Sequence, residues 1–361
     1  MATKQEEREL AFGAQAGLAS AVAVETHNEL GEVDVVRARG YWEQVWRRFR
    51  RDKVAIGGGV FIILLFVIAF GGAPIAQRLL HHGPNDVYPG AALDPQTQLP
   101  VGPWTTFKAA PGGLSCAVGL PCKTQLFILG ADSQLGRDEF LRLLYGAQTS
   151  LEVALGATFL AMVIGVLLGS IAGYFGGSID TLVSRLTEIV MAFPILLFIV
   201  ALASTIGPRL NNFTLGIFGP GVLTLVFVIG LFTWYYPARI IRAQVLSLRE
   251  KEFVEAARMV GASDWRIIRS HLLPHLVAPI IVYTSLIIAS NVLLEAGLSF
   301  LGIGIPLPTA SWGNLLSSAP DYYLTQPWLM VWPGLAVLFA TLAFNLLGDG
   351  LRDAFDPRGA H

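Results

Sequence analysis

Charge is what this sequence has least of: Asp, Glu, Lys and Arg make up only 14% of its 361 residues, where a soluble domain carries about 25%. The shortfall is concentrated in six stretches without any of the four: Val54–Gln77, Val153–Ile179, Ile189–Pro208, Leu210–Ala238, Leu272–Leu294 and Tyr322–Gly348. Each reaches or exceeds the roughly 20 apolar residues that carry a helix across a bilayer. Lipid satisfies no backbone polar group, so each run must satisfy its own as a helix. An ordinary soluble domain is excluded. Cysteine is scarce too. The two present, Cys116 and Cys122, have no neighbouring His and fall short of a tetrahedral zinc set. On an oxidising face they are candidates for a small disulfide loop, provided their Cα atoms approach within about 7 Å. Gly-x-x-x-x-Gly-Lys-Ser/Thr is missing, so the chain has no phosphate-cradling loop for ATP. The absence of His-Glu-x-x-His and Gly-x-Ser-x-Gly speaks against a membrane-embedded hydrolase. Rings of like charge, which a passive channel uses for selection, are not evident either.

What is present sets orientation and domains. Arg37, Arg39, Arg47, Arg48, Arg50, Arg51 and Lys53 precede the first apolar run, and Arg239, Arg242, Arg249, Lys251, Arg258, Arg266 and Arg269 flank the fourth and fifth. The segment 297–328 has no Lys or Arg. Basic loops stay in the cytoplasm, and six crossings put both termini there. The expected architecture is an all-α integral membrane protein with six transmembrane helices. Residues 1–40 form an acidic, disordered cytosolic tail. Residues 41–53 form an interfacial amphipathic helix, with Trp42, Val45, Trp46 and Phe49 at helical spacing. A first transmembrane helix spans 54–79, a large irregular external subdomain spans 80–145, and a five-helix core spans 146–352 with a basic loop over 237–275. Residues 353–361 are a short cytosolic tail.

Within that loop stand Glu255, Ala256 and Ala257, then Gly261, then Leu273-Pro274. Phe253, Ala256, Ala257 and Val260 define a short helix with a small apolar face. Gly261 is suited to the left-handed conformation that ends such a helix. Ser263 is placed to cap a second helix with Asp264 in its first turn. Pro274 is expected to stop that helix and open the fifth span. The product is a helical elbow.

This pattern resembles the signature loop of ABC importer permeases. Asp132, Gly136, Arg137 and Asp138 before the second span, Ser311-Trp312-Gly313-Asn314, and the run from Ala343 to Asp353 are similar to the dipeptide/oligopeptide branch, second membrane subunit (DppC/OppC type). The resemblance implies a transport subunit rather than an enzyme, in a multi-pass cytoplasmic membrane location. Glu255, Ala256, Ala257, Gly261, Leu273 and Pro274 would couple to the ATPase. The implied partners are a homologous second permease, two ATP-binding subunits that bind ATP and Mg, and an external substrate-binding protein, with no cofactor in this chain and no nucleic acid. Short peptides are the implied cargo; relatives of the branch carry nickel, glutathione or oligosaccharides.

Polar residues inside the apolar runs are pathway candidates by default: Asn291 and Glu295 in the fifth, and Asn345 in the sixth, which is equally suited to an interhelical hydrogen bond. His271 and His275 are four residues apart, but with no third ligand they read as interface residues rather than a metal site. The segment around Gly302, Gly304, Pro306 and Pro308 is either an ordinary loop or the mouth of a pathway.

Overall fold

The computed structural model describes residues 41–110, 113, 116, 122–211 and 221–356. The expected acidic tail and the last five residues lie outside them.

Helix α1 (Tyr41–Phe49) exposes Trp42 and Trp46 one turn apart, and Glu43 pairs with Arg47 at 3.3 Å. It ends before the expected Lys53. The cause is Asp52, whose Oδ1 accepts from the N–H groups of Val54 and Ala55 at 2.9 and 3.0 Å. That is the work of an N-cap, so a new helix, α2 (Lys53–Leu80), begins there instead of continuing the first. A wide π turn interrupts α2 at Val67–Gly72.

The segment after α2 is more ordered than its Pro/Gly content predicts. Strands β1 (Thr105–Ala109) and β2 (Lys123–Phe127) pair antiparallel, with Thr105 opposite Phe127. The rings of Tyr88, Phe107 and Phe127 meet edge to face at centroid distances of 4.9 to 5.7 Å and form the centre of a small core with Ala92, Ala109 and Ala131. Cys116 and Cys122, in the connection between the strands, are bonded, with Cα atoms 6.1 Å apart.

Helix α3 (Glu139–Phe175) starts well before the expected Val153, because Asp138 caps it by accepting from Leu141 N–H. It stops at Phe175 rather than Ile179 because Gly176 and Gly177 both take positive φ. The expected third span is not one straight helix. It is divided between α4 (Gly177–Ala192) and α5 (Ile195–Asn211), which meet at an 86° bend. Phe193 precedes Pro194, a position that disfavours helical backbone, and it is extended at φ −86°, ψ 137°. A milder 41° bend separates α6 (Val222–Thr233) from α7 (Tyr235–Leu248). Pro237 lies in the first turn of α7 and has no N–H to carry the α6 ladder across.

Next come α8 (Glu252–Met259) and α9 (Asp264–Phe300), then the short α10 (Trp312–Ser318) and finally α11 (Trp328–Phe355). The last helix begins after Pro327 rather than at Tyr322, and it continues past residue 352. Helices α2, α3, α9 and α11 are each long and apolar enough to cross a membrane, and the two bent pairs raise the number to six.

Helix α3 is the spine, packed by α6, α7 and α9, while α11 joins α9 to α2. Its approach to α7 depends on Gly165, Gly169 and Gly173, spaced one turn apart. A Cβ at Gly169 would sit 2.5 Å from the Ala238 carbonyl oxygen, and one at Gly165 would sit 2.6 Å from the Pro237 ring. Small residues at this spacing let two backbones come into van der Waals contact.

Candidate functional site

The elbow is built largely by backbone. Helix α8 ends in a paired-bond stop: Gly261 N–H donates to Arg258 O at 2.9 Å, and Ala262 N–H donates to Ala257 O at 3.0 Å. This Schellman arrangement needs a residue at positive φ, and Gly261 has φ +82°. Val254 is buried, and Phe253 and Ala257 pack with it on Tyr174, Ile241, Ile268 and Leu272. Two polar contacts hold the elbow to the end of α3. The Tyr174 hydroxyl donates to Asp264 Oδ1 at 2.7 Å, and the Arg258 guanidinium lies over the Tyr174 ring at 5.3 Å.

Three expectations are corrected here. The apolar face of α8 is divided: Ala257 turns inward while Ala256 and Glu255 stay exposed. The strongest outward apolar surface is instead Met259, Val260 and Trp265, at 83%, 89% and 57% exposure. Ser263 occupies the N-cap position of α9 in extended conformation, but its side chain makes no capping hydrogen bond. Pro274 does not stop a helix. Helix α9 runs through it, because a π turn at Ile267–Leu272 precedes the proline, and the changed register absorbs the missing N–H. Leu273 belongs to the inner cluster and Pro274 is exposed. The His275 ring rests on Phe253 at 4.9 Å.

At the other end of α3, the residues of the Asp132–Asp138 motif converge. Arg137 Nη2 and Arg142 Nε lie 2.7 and 2.9 Å from Asp132 Oδ2. Gly136, at φ +66°, turns the chain between Asp132 and Arg137. Asp138 both caps α3 and accepts from His82 Nε2 at 2.7 Å. Arg142 Nη1 donates to Asn85 Oδ1 and to the Pro308 carbonyl, each at 3.1 Å. All of these ionic groups and Glu139 are buried. Burial alone would lower the His82 pKa, but Asp138, with the Leu80 carbonyl and Gln125, holds it above its ordinary 6.5. The node therefore ties the hairpin subdomain, the start of α3 and the Gly302–Pro308 segment together, which makes it an anchor. His82, Arg142 and Glu139 were not foreseen; a charge inside the first turn of an apolar helix is the signal that could have pointed to Arg142.

The pathway candidates separate. Asn291 is buried and donates to Thr158 Oγ1 at 2.9 Å across the α9–α3 contact. Glu295 is fully buried and accepts from the Ser299 hydroxyl at 2.7 Å. Both are buried within this chain, Asn291 against α3 and Glu295 beside Ser299 of its own helix. Asn345 is exposed on α11. Trp312 closes over Glu295's end of α9: its indole donates to Leu143 O and its backbone N–H to Ser150 Oγ, each at 3.2 Å. Ser311 and Asn314 form a capping box that fixes α10 in place.

Comparison with known proteins gives this architecture a family. The binding-protein-dependent transport system inner membrane component matches residues 165–360, and the N-terminal transmembrane domain of oligopeptide transport permease C matches residues 40–98. The dipeptide transport system permease protein DppC of Alkalihalophilus pseudofirmus is 41% identical over 317 residues, 88% of this chain and 90% of that one. The oligopeptide transport system permease protein OppC of Haemophilus influenzae is 33% identical over 326 residues, 90% of each. The glutathione transport system permease protein GsiD of Pectobacterium atrosepticum is 34% identical over 332 residues, 91% of this chain and 96% of its own. An inward-facing structure of the MetNI methionine ABC transporter aligns with 60% of this chain and 96% of its own at TM-score 0.48 and 17% identity. The chain thus belongs to the binding-protein-dependent ABC importer permeases of the OppC/DppC type, as a non-catalytic, multi-pass subunit of the inner membrane.

Proposed function

We propose that this permease forms half of a pathway for di- and oligopeptides and couples to its ATPase through the α8 elbow. A homologous permease supplies the other half, two separate subunits bind ATP and Mg, and an external binding protein delivers the peptide. Both termini lie in the cytoplasm, in keeping with the basic residues around α1 and α7–α9. The observation that carries the reading is the outward apolar tip of α8. Met259 and Val260 are almost wholly exposed beside a backbone stop that fixes their direction. Adjacent exposed apolar side chains on a rigid turn are suited to burial in a partner's groove. Glu252, Glu255 and Arg258 surround that tip with charge for registering the contact.

Gly261→Val tests it. Nothing lies within 4 Å of a Cβ at this position, so the change meets no clash. It strains positive φ alone, at about 1–3 kcal/mol. Insertion and pairing with the sister permease are expected to persist, while ATPase subunits dissociate more readily and peptide uptake falls with peptide-stimulated hydrolysis. Normal uptake with ATPase retained would remove the elbow from the coupling role. Glutathione belongs in the same uptake assay, since the Pectobacterium relative is named for it.

A further inference from the structure

Glu152 stands at the rim of the charge-free run that begins at Val153, yet α3 starts thirteen residues before it, at Glu139. Two contacts between α2 and α3 fix its depth. Tyr145 bonds Gln77, and Gln148 donates to the Ala69 carbonyl. The two helices therefore run antiparallel, with Gln148 level with Ala69. Ala69 is nine residues from Arg78 and sixteen from Lys53, the charged residues that bound the apolar run of α2. Glu152 lies one turn past Gln148, toward the Lys53 end. At 1.5 Å per residue its level is about 20 Å from that of Arg78 and about 18 Å from that of Lys53. In a hydrocarbon layer of about 30 Å this is close to the midplane.

The chain gives this carboxyl group nothing to bind. Asp132 and Asp138 are held by Arg137, Arg142 and His82, but Glu152 makes no hydrogen bond or ion pair among the described residues. It is half-buried and opens outward. One turn above, Gln148 is bonded to α2; one turn below, Gly156 packs so closely on α6 that a Cβ would lie 2.7 Å from Val226. An acid at this depth is costly against lipid, and such residues almost always face a wet cavity or a partner and mark substrate pathways. The same face continues with Phe159 and Val163, both exposed, which offer no polar contact. A wall with a single acid and otherwise apolar side chains suits cargo that shares one cation and varies elsewhere. Unblocked peptides do so, since each carries a terminal ammonium whatever its side chains. We infer that Glu152 is the residue with which this permease takes the terminal ammonium of a passing peptide, so that this face of α3 lines the pathway. A half-exposed acid without further donors around it holds such a group loosely enough to release it, as passage requires. The assignment rests on the peptide reading above.

The experiment uses the full transporter in liposomes, with its ATPase subunits, saturating binding protein and labelled trialanine as probe. Glu152→Gln keeps the shape and removes the charge, and is expected to slow uptake about ten-fold, as loss of one charged hydrogen bond would. Glu152→Asp should restore most of the rate, and Glu152→Lys should abolish it. The thermal midpoint should not fall in any of the three, because no contact within the chain is lost; an acid with a merely structural role would lower it along with uptake. Glu152→Cys should react with a membrane-impermeant cationic thiosulfonate, in a chain whose own two cysteines are bonded to each other. A cysteine closed to that reagent overturns the assignment. So does loss of the sister permease from the purified Glu152→Gln assembly, which would make the acid half of an ion pair between subunits. Equal trialanine uptake by Glu152→Gln and the wild type sinks this inference alone. No trialanine uptake by the wild type sinks the peptide reading and this inference with it.

Discussion

At the start of α3, Asp132, Arg137, Asp138, Arg142 and His82 are buried and bonded to one another, to Asn85 and to the Pro308 carbonyl. At its other end, Glu252, Glu255, Arg258, Met259 and Val260 are all exposed, and the turn that presents them is closed by two backbone hydrogen bonds. One end uses side chains to hold its own segments together. The other closes its turn with backbone, rests Arg258 on the Tyr174 ring, and leaves Glu252, Glu255, Met259 and Val260 exposed. The difference separates residues that serve this chain's fold from residues available to a partner. It also explains why the motif next to the second span is an anchor rather than a binding surface.

The largest effect should follow from Arg142→Met. It leaves Asp132 with one cation fewer and the Pro308 carbonyl without its donor, and breaking a buried ionic contact costs about 3–5 kcal/mol. The thermal midpoint of the purified assembly should drop accordingly; an unchanged midpoint would end the claim that this node is structural.

A smaller effect should appear with pH. The folded His82 pKa is raised above 6.5, so the protonated imidazole's contribution is fully present below the unfolded value and is lost as pH rises through the folded one. Protection of the β1–β2 amides from hydrogen exchange, corrected for intrinsic rates, should decline over that interval. His82→Gln should flatten the decline, and a wild type with flat protection would count against the ion pair.

The smallest effect on stability belongs to the elbow. Val260→Ser replaces a side chain that is 89% exposed and should shift unfolding by no more than about 0.5 kcal/mol. Its consequence should appear in retention of the ATPase subunits. A variant that unfolds early but retains its partner would reverse the contrast between the two ends.

The apolar runs and the stop at Gly261 were legible in sequence because each is local: a run of uncharged residues, or a glycine placed after a short helix. The node was not, because its contacts cross the chain. His82 reaches Asp138, and Arg142 reaches both Asn85 and Pro308, from separate elements. The β hairpin was hidden by five-residue strands among prolines and glycines. Phe193-Pro194 and Pro274 show two outcomes of one residue type. The first breaks a span because nothing absorbs the restriction, whereas the second sits after a π turn that does. The Gly165, Gly169 and Gly173 series could have been read from its spacing alone as a close helix contact.

Helix α9 has a mechanical consequence. Its 37 residues make a rod of about 55 Å that begins at the elbow and ends where Ser299 Oγ accepts from Ile305 N–H. If a partner acts on the elbow as proposed, a small tilt at Asp264 would be carried to the Gly302–Pro308 segment, as at the far end of a lever. The π turn at Ile267–Leu272 lies at the end where force would enter, so it would set how much of the stroke is lost to bending before the remainder of the rod moved.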